Sequence, residues 1–163
     1  MPEIYSPAED SYLMSDVLSK ELPKLLSKNS RLTLLEIGVG SGINLIAAAE
    51  NGVKKKNILG TDINEESVKH CNKLGFNCIK SDLFDKIKGK FDLIIFNPPY
   101  LPLDKKEPKT SRIATTGGKK GDEIIIKFLK QARNYLNSDG KIFIITSSLS
   151  SAIDFDKLNY RVR

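Results

Sequence analysis

The amino-terminal part of the chain carries apolar residues at spacings of three and four. They are Leu13, Val17, Leu18, Leu22, Leu25 and Leu26. Residues with these spacings share one helix face, so the pattern predicts an amphipathic helix over residues 8–28. Pro23 lies within this segment, and we expect it to break or restart the helix because proline has no backbone N–H to donate.

Beyond residue 28, short apolar runs alternate with amphipathic segments. The runs predict strands at residues 32–37, 57–63, 76–80, 91–97 and 141–146. The segments between them predict helices at residues 43–51, 64–74 and 125–136, and we expect Asp139-Gly140 to close the last helix. This alternation is typical of an α/β fold with a mostly parallel, doubly wound sheet and right-handed crossovers.

Composition is consistent with one globular domain, and we expect it to span residues 1–163. Apolar residues make up 40% and charged residues 28%, which argues against a disordered, collagen-like or disulfide-rich chain. The sequence has no long apolar run, no secretory leader and only two cysteines, so we expect a cytoplasmic protein that does not enter a membrane. The net charge of +6 permits an anionic partner without requiring one.

A glycine-rich turn, Gly38-Val39-Gly40-Ser41-Gly42, follows the first predicted strand. Doubly wound sheets bind ligands beyond the carboxyl ends of their strands, and glycines let the backbone approach a ligand closely. Asp62 ends the second predicted strand, where a carboxylate can hold two ribose hydroxyls. The order of strand, turn, helix and acid-ended strand therefore favours a cofactor site over a simple tight turn.

The charge beside this turn indicates the kind of cofactor. Glu36 lies two residues before Gly38, and the glycines are spaced G-x-G-x-G, unlike the G-x-G-x-x-G that holds a pyrophosphate. A carboxylate suits a cationic ligand such as S-adenosylmethionine, which has no phosphate. Residues 36–42 resemble the first motif of class I methyltransferases. By that resemblance Asp82-Leu83 contacts the adenine, with a helix N-cap as the alternative role of Asp82.

Asn97-Pro98-Pro99-Tyr100 follows the apolar fourth strand. The Asn97 side-chain oxygen and the Pro98 carbonyl can accept both hydrogens of a planar NH₂ group, which frees the nitrogen lone pair for attack on a methyl carbon. The prolines stiffen these acceptors, and Tyr100 offers a face for stacking. The motif resembles that of amino-methyltransferases, whereas a rigid turn with Asn97 capping the strand is the structural alternative.

Two further segments narrow the family. Residues 4–11, Ile-Tyr-Ser-Pro-Ala-Glu-Asp-Ser, and residues 117–123, Gly-Gly-Lys-Lys-Gly-Asp-Glu, are similar to stretches of the HemK-like glutamine methyltransferases in their eukaryotic and archaeal branch. The resemblance covers residues 4–147 and implies a Rossmann-like class I methyltransferase fold. It also implies a substrate, the glutamine of the Gly-Gly-Gln motif in a class I peptide chain release factor, and hence a role in translation termination.

The resemblance assigns site residues and a partner. It implies that S-adenosylmethionine contacts Ser11, Glu36, Gly38, Gly40, Gly42, Asp62, Ile63, Asp82, Leu83 and Asn97, and that Asn97, Pro98, Pro99 and Tyr100 are catalytic. It also implies a heterodimer with a small zinc-binding activator protein. In these residues we expect one amino-terminal helix where the bacterial branch has a helical domain, and a carboxyl-terminal sheet edge shorter than is usual in the family.

Other functions stay open at this point. The same motif serves an N6-adenine methyltransferase acting on RNA or DNA, and a basic loop could follow a phosphate backbone or simply be solvated. That loop contains Lys105, Lys106, Lys109, Arg112, Lys119 and Lys120. The sequence leaves no room for the target-recognition region that a duplex-DNA enzyme usually carries. A non-catalytic cofactor-binding scaffold is a further alternative, against which the intact motif argues.

We expect no metal site in this chain. His70 and Cys71 are adjacent in a predicted helix and therefore point about 100° apart. Together with Cys78 they do not form a metal-ligand pattern, and both cysteines are expected to be small core residues.

Overall fold

A computed structural model describes residues 9–99, 116–148 and 152–162 of the chain. The described residues fall into two compact units. The first contains the residues up to Asn97 together with residues 135–145. The second contains the described residues of the ranges 98–134 and 146–163.

A parallel sheet organises the first unit, and among the described residues it has five strands. They are β1 (Leu34–Ile37), β2 (Ile58–Asp62), β3 (Asn77–Lys80), β4 (Phe91–Phe96) and β5 (Leu136–Ile144). Their spatial order is β3-β2-β1-β4-β5, and every neighbouring pair is parallel. The expected doubly wound α/β fold is confirmed, and each of the described strand pairs is parallel.

The central strand β1 fixes where a ligand can bind. Its four residues are all buried because it lies between β2 and β4. Ile37 pairs with Thr61 on one side and with Phe96 on the other, so β1, β2 and β4 end at nearly the same level. The strand order also reverses direction at β1, which is the position where doubly wound sheets bind ligands.

Three helices pack with this sheet: α1 (Glu9–Lys28), α2 (Ile43–Glu50) and α3 (Glu65–Lys73). The Asn64 side chain caps α3 by accepting a hydrogen bond from the Glu66 amide at 3.0 Å, as the sequence indicates. A 3₁₀ turn, Lys55–Asn57, leads into β2. None of the helices in the described ranges has both the length and the apolar character that a bilayer crossing requires.

The expectation that Pro23 interrupts the first helix is wrong. Helix α1 continues through Pro23, whose side chain is exposed. Met14, Leu18 and Leu22 are buried before the proline, and further leucines pack against the same core after it. Burial on both sides offsets the cost of about 3 kcal/mol that an interior proline imposes.

The end of the last helix also differs from the expectation. Helix α4 (Glu123–Ala132) stops before a 3₁₀ turn, Arg133–Tyr135, and Leu136 already begins β5. Asp139-Gly140 therefore lies within β5 and does not close a helix. Leu136 pairs with Phe91 and Lys141 with Leu93, so the intervening residues form an irregularity in the strand.

The second unit is built around α4. Tyr160 donates a hydrogen bond from its hydroxyl to the Leu129 carbonyl at 2.6 Å. Arg133 donates to the Asn159 carbonyl and lies over the Tyr160 ring. These contacts fix the described carboxyl-terminal residues against the helix.

Candidate cofactor and acceptor site

The glycine-rich turn after β1 is anchored to β2. The amides of Gly38 and Val39 donate to the Thr61 carbonyl at 2.7 and 3.0 Å, and the Gly42 amide donates to the Val39 carbonyl at 2.7 Å. The φ angles of Gly38, Gly40 and Gly42 are 72°, 49° and 80°. A side chain at any of the three would be strained in this left-handed region, which explains the glycine spacing.

Gly60 is a second close approach, and the sequence reasoning did not single it out. It pairs with Glu36 across the sheet. A Cβ at Gly60 would lie 2.5 Å from the Val39 side chain and 2.7 Å from the Cys78 sulfur. The glycine therefore lets the turn lie flat on β2, and its position inside a predicted strand was the available signal.

Asp62 ends β2 beside this turn. Its Oδ2 accepts from the Gly40 amide at 2.9 Å and its Oδ1 accepts from the Asn64 amide at 2.8 Å. Burial raises the pKa of Asp62, while the backbone hydrogen bonds act in the opposite direction. The carboxylate thus braces the turn at the place where the sequence predicts a ribose contact.

Glu36 is the most deeply buried acid at the site, with 1% of its surface exposed. Its Oε1 accepts from the Asn44 side-chain amide at 2.9 Å. Its Oε2 is buried and has no hydrogen-bond partner among the described residues. Burial raises the pKa of Glu36 well above its usual value, and the Asn44 hydrogen bond partly counteracts this.

An S-adenosylmethionine molecule fits this arrangement. A buried carboxylate oxygen without a partner is unfavourable, and a cationic group of a ligand would compensate it. No ion pair of the described residues supplies a lysine or arginine to Glu36. The site therefore suits a ligand that carries positive charge, as the sequence predicts.

Asn97 follows β4 directly and carries the other buried oxygen of this kind. Within the described ranges, Glu36 Oε2 and Asn97 Oδ1 are the two buried side-chain polar atoms without a partner. Pro98 is peptide-bonded to Asn97 and is buried. Tyr100, residues 4–8 and most of the basic loop lie outside the described residues, so the expectations about them stay predictions.

Asp82 and Leu83 come next to the end of β2. The amide of the preceding residue, Ser81, donates to the Asp62 carbonyl at 3.0 Å. Asp82 is exposed. A turn follows it, whereas the alternative role of Asp82 as an N-cap requires a helix. Leu83 is buried at a φ of 45°, an uncommon conformation for a residue other than glycine.

The remaining candidates lie at two different places. Ser11 is buried in the first turn of α1, where its amide donates to Asp10 Oδ1 at 2.7 Å. Its carbonyl lies 3.1 Å from the Ser15 hydroxyl, which also lies 3.1 Å from Asn44 Oδ1. Ser11 is thus connected to Glu36 through two residues that the sequence reasoning missed. Ile63, after β2, has 55% of its surface exposed.

The two cysteines are free thiols in the core. A hydrogen bond to Cys78, together with burial, raises the pKa of Cys71 far above its ordinary value, so it stays protonated. Its sulfur lies 3.8 Å from the Gly40 carbonyl oxygen and so contacts the glycine-rich turn. The described residues contain no group of three or more potential metal ligands.

Comparison with known proteins places this chain in a family. Residues 11–154 match the family model described as "Methyltransferase small domain". A Methanocaldococcus jannaschii protein that bears the name of a protein N5-glutamine methyltransferase is 43% identical over 157 residues, covering 91% of this chain and 75% of that protein. The Schizosaccharomyces pombe eRF1 methyltransferase catalytic subunit is 27% identical, with 88% and 72% covered.

A solved structure agrees with the fold. The CcbJ methyltransferase of Streptomyces caelestis superposes with a TM-score of 0.56 at 14% identity, over 88% of this chain and 51% of that protein. The chain thus spans about half the length of that protein. The family also confirms the expected enzyme class, a methyltransferase, and the expected cofactor, S-adenosylmethionine. The chain belongs to the methyltransferase small domain family, as a HemK-like class I methyltransferase of the archaeal and eukaryotic branch that uses S-adenosylmethionine.

Proposed function

We propose that this chain methylates the side-chain amide nitrogen of the glutamine in the Gly-Gly-Gln motif of a class I peptide chain release factor. The observation that carries the proposal is the buried, unpartnered Oδ1 of Asn97 at the end of β4. An amide NH₂ group supplies the donor that this oxygen lacks. The names of the two relatives, which refer to glutamine N5 and to eRF1, support this acceptor.

Two acceptors would activate the amide nitrogen. Asn97 Oδ1 accepts one N–H and the Pro98 carbonyl accepts the other, which draws the nitrogen from planar towards tetrahedral geometry. Pro98 and Pro99 hold the acceptors in place before the substrate arrives, so little reorganisation is needed during the reaction. Tyr100 stacks on the planar amide. The nitrogen becomes acidic as it is methylated and loses its proton to solvent, so the site needs no strong base.

Different residues would bind different parts of S-adenosylmethionine. Glu36 faces a cationic group, Asp62 holds the ribose hydroxyls, and Asp82 with Leu83 contacts the adenine. Gly38, Gly40, Gly42, Ser11 and Ile63 complete the surface against which the cofactor lies. When bound, S-adenosylmethionine supplies an electrophilic methyl group, whose carbon–sulfur bond breaks as the new carbon–nitrogen bond forms and leaves a neutral thioether.

The proposal extends to a partner and to a compartment. Large apolar side chains are exposed at Tyr12, Leu13 and Leu74, and a small zinc-binding activator would cover such surface in a heterodimer. The relative named as a catalytic subunit supports a complex of this kind. Residues 1–163 would act as one methyltransferase domain, in the cytoplasm where release factors work.

Labelled S-adenosylmethionine tests the acceptor. We expect label in a class I release factor and none in its Gly-Gly-Gln→Gly-Gly-Ala variant, with more label when the activator is co-expressed. Bulk RNA serves as the competing substrate in the same assay. Label that enters RNA alone would replace the glutamine proposal with an adenine methyltransferase, and label that persists in the Gly-Gly-Ala variant would exclude this glutamine.

A further inference from the structure

A chain of polar side chains leads from α1 to Glu36. The Ser15 hydroxyl lies 3.1 Å from Asn44 Oδ1, and Asn44 Nδ2 donates to Glu36 Oε1 at 2.9 Å. Asn44 is 5% exposed and is the buried polar residue in an otherwise apolar face of α2. A buried amide at this place is unfavourable unless both of its ends are bonded, and here they are.

The hydrogen bond fixes how the two oxygens of Glu36 are used. Because Oε1 receives the Asn44 amide, Oε2 is the oxygen left without a partner. The Ser15 hydroxyl lies 3.1 Å from Asn44 Oδ1, at the other end of the amide, and so restrains the side chain whose Nδ2 faces the carboxylate. Asn44 therefore determines which carboxylate oxygen a ligand meets.

The other surroundings of Glu36 oppose its negative charge. Burial raises the pKa of Glu36 most, and the negative charge of Asp62 on β2 raises it further. Its neighbours across the sheet are Gly60 and Ile95, which offer no side-chain donor. Among the described residues, the Asn44 hydrogen bond is the side-chain contact that favours the carboxylate form.

We propose that Asn44 is a positioning residue that keeps Glu36 ionised and its Oε2 directed to the cationic part of S-adenosylmethionine. The inference rests on the proposed function only in that Glu36 faces a cationic group of this cofactor. Asn44 does not touch the transferred methyl group in this view. Without it, Glu36 would be protonated over a wider pH range, and the site would lose its preference for a positively charged ligand.

Three variants test the inference by calorimetric titration between pH 6 and pH 9. Asn44→Leu keeps the number and branching of the side-chain heavy atoms and removes the donor, whereas Ser15→Ala keeps the donor and frees its orientation. Leu45→Val changes the neighbouring buried residue of α2 and serves as the packing control. The ligands are S-adenosylmethionine and neutral 5′-methylthioadenosine. The pKa of Glu36 in the free proteins is measured by carbon NMR.

In the wild type, we expect affinity for S-adenosylmethionine to rise with pH until the ammonium of the ligand begins to lose its proton at about pH 8. The affinity for 5′-methylthioadenosine should be equal at every pH. Asn44→Leu should weaken S-adenosylmethionine about tenfold at neutral pH, as expected for the loss of one hydrogen bond to a charge. The loss should diminish at alkaline pH and spare 5′-methylthioadenosine. Ser15→Ala should shift the pH midpoint less, and Leu45→Val not at all.

Two results would overturn the inference. One is that Asn44→Leu leaves both the pKa of Glu36 and the pH profile of binding as they are in the wild type. Should Asn44→Leu not fold, the same result for Ser15→Ala would count instead. The other is equal weakening of both ligands, which would mean that Asn44 only shapes the site. If the wild type itself binds no S-adenosylmethionine, the proposed function fails together with the inference. Either of the two results above overturns the inference alone.

Discussion

The side-chain oxygen of Asn97 is the atom on which the proposed chemistry depends most. Asn97→Ala should lower kcat by about 100-fold, because it removes one of two preorganised acceptors. Affinity for S-adenosylmethionine should change far less, since Glu36 and Asp62 are retained. Methyl-transfer kinetics and calorimetry measure the two quantities separately.

Asn134→Ala is the matched control, because Asn134 is exposed in the turn after α4. It should keep full activity. If Asn97→Ala in complex with its partner methylates as fast as the wild type, another subunit performs the chemistry and the chain is a cofactor-binding scaffold.

Residue types at the site could be predicted from the sequence more readily than residue contacts. Glu36, Asp62 and the three glycines are recognisable because each has a fixed spacing from a strand end. Asn44 has no such spacing, and its only signal is an amide in the apolar segment Ile43–Glu50. Its role depends on Ser15 and Glu36 approaching from two other elements, which no local pattern encodes.

At the scale of elements, Asp92 joins the amino-terminal ends of three strands. Its Oδ2 accepts from the Thr33 amide and hydroxyl at 2.8 and 2.9 Å, and its Oδ1 accepts from the Asn137 side chain at 2.7 Å. Burial raises the pKa of Asp92, but these bonds and one from Asn29 outweigh it, so the pKa lies below its ordinary value. The folded state therefore favours the ionised carboxylate.

Asp92→Ala should lower the free energy of unfolding by about 2 kcal/mol at pH 7. A carboxyl whose pKa is depressed by folding stabilises the protein above its unfolded-state pKa, and this contribution is lost as the pH falls through the folded-state pKa. The difference between variant and wild type should thus shrink as the pH falls below the ordinary pKa of an aspartate, about 3.9. Urea unfolding at pH 7 and at acidic pH measures it. Exposed Asp139→Ala is the control, and a difference that does not depend on pH would contradict the assignment.

The glycine stretch before α4 supports the proline segment. A Cβ at Gly117 would lie 2.5 Å from both the Pro99 and the Gly121 carbonyl oxygens, which are backbone atoms and cannot turn away. Gly117→Ala should displace Pro99 and its neighbour Pro98, and so lower kcat about tenfold without weakening S-adenosylmethionine binding. Steady-state kinetics tests this.

The control for Gly117→Ala is Gly89→Ala. Gly89 has a positive φ, 87°, and a Cβ there meets nothing within 4 Å, so its substitution adds a side chain without a close contact. Gly89→Ala carries backbone strain without a close contact. An equal loss of activity in both variants would therefore show that Gly117 acts only through stability.

Two predicted element boundaries are wrong because tertiary packing, and not the local sequence, decides where these elements end. Pro23 should end a helix locally, yet the core buries leucines on both sides of it. Asp139-Gly140 reads as a helix end, yet pairing with β4 extends β5 back to Leu136. Both errors concern where an element stops. The existence and order of the elements follow from their periodicity.

At the scale of the whole molecule, cofactor binding should stabilise the first unit most directly. Its described residues include Ser11, Glu36, Asp62, Asp82 and Asn97. At a concentration of 100 times the Kd, a ligand adds about 2.7 kcal/mol to stability. Hydrogen exchange with and without S-adenosylmethionine should show added protection in the glycine-rich turn and in β1. Protection absent from both would place the cofactor elsewhere.

The parallel sheet separates two groups of residues that serve different ends. Gly38, Asp62 and Asn97 lie at the carboxyl ends of their strands, whereas Thr33, Asp92 and Asn137 lie at the opposite ends. β1 has four residues and is about 13 Å long, which exceeds the distance over which substitutions usually influence one another. Substitutions around Thr33 and Asp92 that raise the free energy of unfolding can therefore accumulate, by engineering or by genetic drift. The substrate preference of the opposite end can evolve independently of them.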